Sequence, residues 1–303
     1  MTLLAGIEGG GTKFVAMIGN DQGEVLHREQ FPTTTPEETM SLVLDYFARQ
    51  RAEYPFNAIG IGSFGPVDPD ARSLTYGHIT TTPKPGWMNY DLVDDVTQAL
   101  DVPVGFDTDV NAAALGEYYW GAAQGLTDFL YVTIGTGIGG GAMVDGRLLH
   151  GAMHPEMGHM RVPQDRERDP FEGICPYHKN CLEGLASGPA LKARWQVESA
   201  MDLPPDHVAW EIEAEYIGMA ISNLILTFSP QKIILGGGVM KQKQLLPMIH
   251  NKVLEYLAGY VENDTIKCIH ETIVLPGLGD NAGGCGALAL AKQALHAQED
   301  LTL

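Results

Sequence analysis

Residues 3–7 (Leu-Leu-Ala-Gly-Ile) form an uninterrupted apolar run that predicts a buried strand, and the glycines at Gly9, Gly10 and Gly11 predict a turn after it. A return strand follows over 14–18, and Asn20-Asp21-Gln22-Gly23 predicts a second hairpin turn. The same order comes back later: strand 129–134, glycine turn 135–140, return strand 141–144, and an Asp145-Gly146 turn leading into 147–149. Placing Ile7 on Ile134 gives an offset of 127 residues, so the chain reads as an internal duplication with two related lobes. Two glycine turns facing each other would make a cleft.

Between these hairpins the pattern turns helical. Thr35-Pro36-Glu37-Glu38 starts a helix in three ways: Thr35 as N-cap, Pro36 at the first position, and Glu38 completing a capping box. That helix should run to about residue 51. Residues 58–63 and 104–106 read as short strands, and 111 to about 124 as a helix bounded by Gly125. Further on, 211–228 keeps helical spacing at Ile217, Ala220, Ile221, Leu224 and Ile225, and Ser229-Pro230 ends it. A buried strand at 232–235, a helix with Pro247 in its first turn running to about 257, a strand at 273–275 and an Ala/Leu-rich helix at 282–295 complete the series. Strands alternating with helices and glycine turns predict an α/β protein.

Composition narrows the function. The 303 residues include 36 glycines, about 12% against an average near 7%, and they cluster after short apolar runs. Nineteen Lys+Arg against 38 Asp+Glu leave a net charge of −19, which repels nucleic acid and an anionic bilayer. A polyanionic ligand would have to be held by local backbone N–H groups and a metal ion. No secretory pattern opens the chain, and the longest uncharged stretches, 129–144 and 216–231, are too short to span a membrane. The protein reads as cytoplasmic. Four cysteines do not make a disulfide framework; Cys175 and Cys181 are spaced for a metal, whereas Cys268 and Cys285 read as buried packing.

Three constellations carry chemistry. The first is the turn Glu8-Gly9-Gly10-Gly11-Thr12-Lys13, where adjacent glycines let backbone N–H groups approach phosphate oxygens. It lacks the Walker A spacing, and alone it is equally well an ordinary glycine hairpin; the duplicate at Gly135-Thr136-Gly137 favours phosphate. The second is Asp107-Thr108-Asp109-Val110-Asn111, a strand end carrying two carboxylates into a helix. It reads either as a general base for a hydroxyl or as helix caps. The third is His159 with Cys175, His178 and Cys181: two thiolates and two imidazoles suit one tetrahedral, structural Zn²⁺. Glu156 and Glu183 flank that set in sequence, as surface acids or as hydrogen-bond acceptors for a polyol.

The order of these motifs resembles the ROK family (repressor, open reading frame, kinase) of sugar kinases, within the actin-like ATPase superfamily. The likeness runs from Glu8 to Lys13, through Asp107 to Asn111, the second glycine turn, Glu156-Met-Gly158-His159, the zinc segment, and Gly236, Gly237 and Gly238, to Gly279-Asp280-Asn281-Ala282-Gly283. It implies a two-lobed, ribonuclease H-like duplicated fold with an interlobe cleft. The N-terminal lobe would cover 1–115, completed by a helix at 283–303, and the C-terminal lobe 116–282. The resemblance makes Asp109 the base and places Gly65, Thr108, Glu156 and Glu183 on the sugar. Gly9, Gly10, Gly11, Thr12, Lys13, Thr136, Gly137, Gly236, Gly237 and Gly238 fall to ATP, and Glu8 to Mg²⁺ through water. A homodimer is also implied. The chain begins at the first strand with no helix-turn-helix ahead of it, which speaks against a repressor. Thr108 and the C-x₂-H-x₂-C zinc spacing match fructokinase-like members, so Mg-ATP and fructose are the expected substrates. Glucokinase, mannokinase or N-acetylhexosamine kinase activity, or a non-catalytic sugar-binding regulator, are the rivals.

Overall fold

In the computed structural model, which describes residues 2–301, the duplication is visible as two five-stranded sheets with one topology. The first contains β1 (Leu3–Gly9), β2 (Lys13–Asn20), β3 (Val25–Pro32), β4 (Ile59–Ser63) and, after a small antiparallel pair β5 (His78–Ile79) and β6 (Tyr90–Asp91), β7 (Val104–Thr108). The second contains β8 (Phe129–Ile134), β9 (Ile138–Val144), β10 (Arg147–Leu148), β11 (Lys232–Gly236) and β12 (Ile273–Val274). The orders β3-β2-β1-β4-β7 and β10-β9-β8-β11-β12 match position for position, antiparallel in the hairpins and parallel beyond them. Between strands lie α1 (Pro36–Gln50), α2 (Leu92–Leu100), α3 (Asp109–Trp120), α4 (Leu182–Ala186), α5 (Gly188–Trp195), α6 (Ala209–Phe228), α7 (Leu245–Leu257), α8 (Asp264–Lys267) and α9 (Ile269–Thr272). The last helix, α10 (Ala282–Leu301), returns to the first sheet. Met1 and the two final residues of the helix expected over 283–303 lie outside the described residues.

Each sheet owns a core. Ile7, Phe14, Tyr46, Phe47, Ile59 and Trp87 are buried on the first, and Leu130, Ile134, Trp210, Ile217, Leu235 and Ile249 on the second. The other face of the first sheet receives α10 through a row of glycines: Gly6, Gly60 and Gly105 are register neighbours on β1, β4 and β7. A Cβ on Gly60 would stand 1.9 Å from the Ala287 carbonyl oxygen, and one on Gly105 2.4 Å from that of Leu290. The row is a groove that lets a helix backbone lie on the sheet, so part of the glycine excess serves packing rather than turns. Helices α3 and α10 also cross in backbone contact, since a Cβ on Gly286 would be 2.0 Å from the Ala112 carbonyl oxygen.

Four details differ from the sequence reading. The turn expected over 135–140 ends at Gly137, and Gly139 and Gly140 join Gly141 in the strand. Side chains there would strike α3 and its surroundings: a Cβ on Gly141 would be 2.4 Å from the Val110 carbonyl oxygen, and one on Gly140 2.5 Å from Met157 Sδ. Helix α3 begins at Asp109 and stops at Trp120, because the buried Glu117 carboxylate accepts the Ala122 N–H at 2.6 Å and those of Gly277 and Leu278 at 3.0 Å each. The capping box of α1 forms by half: Thr35 Oγ1 accepts from the Glu38 N–H at 3.3 Å. Cys285 is buried as expected, but Cys268 is exposed, standing at the junction of the short helices α8 and α9.

Candidate active site

The strand-to-helix junction at β7 and α3 places Asp109 at the first position of the helix. Thr108 supplies the N-cap, its Oγ1 accepting from the Asn111 N–H at 3.0 Å, so neither aspartate is the cap. Thr108 is buried, and its oxygen is engaged in this bond rather than presented openly to a ligand. Asp107 holds the junction from beneath: its Oδ1 accepts from the Thr108 N–H at 2.7 Å and from Asn111 Nδ2 at 2.8 Å. Its Oδ2 lies 2.8 Å from Nε2 of His150, a residue of the second half, and this bond pushes the imidazole above its ordinary range. Asp109 accepts from its neighbouring Val110 N–H, at 2.9 Å, and from its own backbone N–H. Burial, then the carboxylates of Glu8 and Glu156, raise its pKa to about 7.

Both glycine turns lie close to this junction: Glu8 beside the first acts on Asp109, and Val110 packs on Gly139 just after the second. The Gly10 N–H donates to the Lys13 carbonyl at 2.9 Å, and Thr33 Oγ1 donates to the Gly10 carbonyl at 2.7 Å, which closes and braces the first turn. The second turn is closed from the Gly135 N–H to the Gly137 carbonyl at 2.9 Å, and Thr136 is exposed at its tip. Next to it a cavity of ≈ 670 Å³ opens between Glu8, Lys13, Tyr131, Thr133, Gly237, Gly238 and the start of α10. Gly236 does not face it; a Cβ there would be 2.4 Å from the Tyr131 hydroxyl. Burial raises the Glu8 carboxyl despite Lys13 and Arg28 nearby, and the side chain lies against the first turn of α10. Arg28 and Lys241 also line this cavity, Arg28 Nη1 donating to Asn281 Oδ1 at 2.8 Å and Lys241 Nζ to Asp280 Oδ2 at 2.9 Å. Sequence reading passed over both, because nothing local ties a residue of β3 or of the 239–241 turn to a cleft formed by distant segments.

The cysteine and histidine set converges. Ligand atoms of His159, Cys175, His178 and Cys181 all lie within 4.8 Å of one another. His159 Nδ1 stands 3.8 Å from Cys175 Sγ and 3.5 Å from Cys181 Sγ, and His178 Nδ1 is 3.7 Å from Cys175 Sγ. A tetrahedral zinc with bonds of about 2.0 Å to nitrogen and 2.3 Å to sulfur spaces its ligands by roughly 3.3–3.8 Å, so donor type and spacing fit this ion. Arg161 braces the knuckle, Nη1 donating to the His178 carbonyl at 2.9 Å and to Asn180 Oδ1 at 2.6 Å.

This cluster also positions two carboxylates. Glu156 precedes the single turn Met157–His159 that delivers His159, and Glu183 stands in the first turn of α4, whose N-cap is Cys181. Glu183 Oε2 accepts the Ile138 N–H at 2.9 Å, beside the second glycine turn. Burial raises the Glu156 carboxyl, His154 and His159 oppose that rise, and Glu183 adds to it. Gly65 completes the group: a Cβ there would come within 3.4 Å of His154, whose Nε2 accepts the Val67 N–H at 3.1 Å. Glu8 and Glu156 thus act on Asp109, and Glu183 on Glu156, so four carboxylates from different segments are linked in one chain of neighbours.

Duplicated sheets with paired glycine turns over a shared cleft define the two-lobed actin-like ATPase fold, in the form used by sugar kinases. The ROK family profile matches residues 4–294, and the chain belongs to the ROK family. A Bacillus subtilis (strain 168) relative is 50% identical over 297 residues, covering 98% of this chain and 97% of that protein. The fructokinase of Pediococcus pentosaceus is 46% identical over 293 residues, covering 97% of this chain and 99% of that protein. Among solved structures, a ROK family glucokinase from Streptomyces griseus in complex with glucose and AMPPNP superposes with a TM-score of 0.77 at 28% identity, over 96% of this chain and 99% of that one.

Proposed function

We propose that this protein is an ATP-dependent fructokinase, transferring the terminal phosphoryl group of ATP to the 6-hydroxyl of fructose. The observation that carries the reading is Asp109: a carboxylate with a pKa of about 7 that accepts no side-chain hydrogen bond, near Glu8 of the first glycine turn and Glu156, whose neighbour Glu183 is tied to the second turn. Relatives named fructokinase at 46% identity supply the sugar. In this reading Gly65, Glu156 and Glu183 accept and orient sugar hydroxyls, with Thr108 fixing the helix end beneath them. Gly9, Gly10, Gly11, Thr12 and Lys13 on one side, and Thr136 and Gly137 on the other, hold the phosphates; Gly237 and Gly238, with Gly236 behind them, form the adenosine side. Glu8 would hold Mg²⁺ through water, and the metal neutralises charge on the phosphates when bound. Asp109 takes the proton of the 6-hydroxyl as its oxygen attacks phosphorus; the bond to ADP breaks in line, and the rest of the protein positions and screens.

ADP release measured with fructose, glucose, mannose and N-acetylglucosamine offered separately is expected to give the highest kcat/KM for fructose. A different winner would keep the kinase and remove fructose from the assignment. Silence with every sugar, in zinc-loaded protein, would favour a binding regulator.

The base also sets a pH dependence. A group that must be ionised and titrates at about 7 loses activity on the acid side. The fructose kcat/KM is expected to fall about tenfold per pH unit below 7 and to level off above it. A profile flat from pH 5 to 8 would remove Asp109 from the role.

A further inference from the structure

A lysine outside both glycine turns is held over the first of them. The segment 83–87 (Pro-Lys-Pro-Gly-Trp) follows the β5 strand, and the Lys84 side chain reaches Gly11: its Cε lies 3.7 Å from the position a Cβ on that glycine would take. The approach is built from the backbone. Trp87 is fully buried, its ring stacked on Phe14 at 5.2 Å and set edge-on to Phe64 at 5.5 Å. Its indole Nε1 donates to the Thr34 carbonyl at 2.8 Å. The preceding residue, Thr33, is the one that braces the glycine turn, donating Oγ1 to Gly10 and its N–H to the Thr12 carbonyl at 3.0 Å. One bracket therefore fixes both the turn and the segment carrying Lys84. The flanking prolines and a bond from the Lys84 N–H to Thr82 Oγ1 at 3.4 Å further limit the stem.

Among the described residues the Lys84 ammonium has neither an ion pair nor a hydrogen bond, although the chain holds 38 acids to 19 Lys+Arg. Lys13, the lysine of the turn itself, lines the neighbouring cavity and donates to Gln30 Oε1 at 3.4 Å. A free cation fixed beside exposed backbone N–H groups suits a phosphate oxygen. We infer that Lys84 binds the terminal phosphoryl group of ATP at the first glycine turn and remains with it during transfer. Lys84 forms no bond to phosphorus; the phosphorus–oxygen bond to ADP breaks, that to the sugar oxygen forms, and the ammonium neutralises charge on the three spectator oxygens. This rests on the reading that the turn holds ATP, and is independent of which sugar accepts.

The test is Lys84→Met, which keeps the stem and removes the charge, in zinc-loaded full-length protein. Calorimetry is expected to show AMP-PNP binding weakened about tenfold or more while ADP binding changes less than about twofold, with kcat down about 30-fold and partly restored in Lys84→Arg. Unchanged AMP-PNP affinity would overturn the assignment, as would equal losses for AMP-PNP and ADP. Should Lys84→Met not fold, Lys84→Gln is read in the same way. A wild type that phosphorylates no sugar would sink the transfer reading but leave the AMP-PNP to ADP ratio as the test of Lys84. A wild type that binds neither nucleotide would overturn both.

Discussion

Replacing Asp109 with asparagine is expected to lower turnover about 10²–10⁴-fold, roughly 3–5 kcal/mol of barrier, and to raise the melting temperature above pH 7. The two effects have one origin. Asparagine keeps the shape of the junction, where Thr108 caps α3 and Asp107 holds the strand end, but it cannot accept a proton. The stability sign follows from a folded pKa of about 7 against the ordinary aspartate value of about 3.8. Between those values the folded protein binds a proton that the unfolded chain releases. The stability contributed by this group is therefore complete below about pH 4 and lost as pH rises through 7. Above pH 7 the ionised carboxylate is a burden of about 1–3 kcal/mol, reduced from the full shift because the group partly faces the open cleft. Steady-state kinetics and thermal melts at pH 8 check both halves. Near-wild-type turnover in Asp109→Asn would end the assignment of the base.

Removal of zinc is expected to abolish activity and lower stability together. The four ligands link the Met157–His159 turn to the start of α4, and these two pieces carry Glu156 and Glu183. Their junction is otherwise held by an Arg161 to Cys181 bridge, the Leu182 N–H on the Met160 carbonyl at 2.9 Å, the Arg161 bonds to His178 and Asn180, and the packing of Met157 on the core shared with Leu182. Zinc binding to such sets is worth about 10–16 kcal/mol in small domains, so losing it exceeds what those bonds could supply. Elemental analysis should give one zinc per chain. Cys181→Ser, or prolonged chelation, should then reduce sugar turnover by at least about 10²-fold with a lower melting temperature. Metal-free protein of full activity would refute the site.

The recurring hairpins made the duplication legible, because a buried strand ending in glycine is a strong local signal and it occurs twice. The Cys/His cluster was legible for the same reason: three of its four residues fall within seven positions. What stayed hidden depends on contacts between distant segments. Strand β3 carries three consecutive exposed polar residues, Arg28, Glu29 and Gln30, as an edge strand can, so it shows little apolar pattern. Glycines 139 and 140 looked like turn residues, although their reason for being small is Val110 of α3, about thirty positions earlier, and Met157, well after them. Thr108 carried a signal that went unused, since a threonine three residues before a helical N–H is an ordinary N-cap. Lys84 offered none: a Pro-Lys-Pro sequence says loop, and only the buried Trp87 shows where that loop is tied.

The contact between β9 and α3 has a consequence for how such an enzyme could be altered. Asp109 belongs by covalent connection to the first sheet, yet the first turn of its helix is seated on Gly139 and Gly141 of the second. Asp109 is thus mounted from both sides, and its location is an agreement between the two copies of the duplication. Loops around the sugar can drift, exchange and lengthen while the agreement holds. A side chain gained on one strand of the opposite copy would displace the proton acceptor without touching substrate, so the record of this fold's divergence should be written in its loops and erased from these glycines.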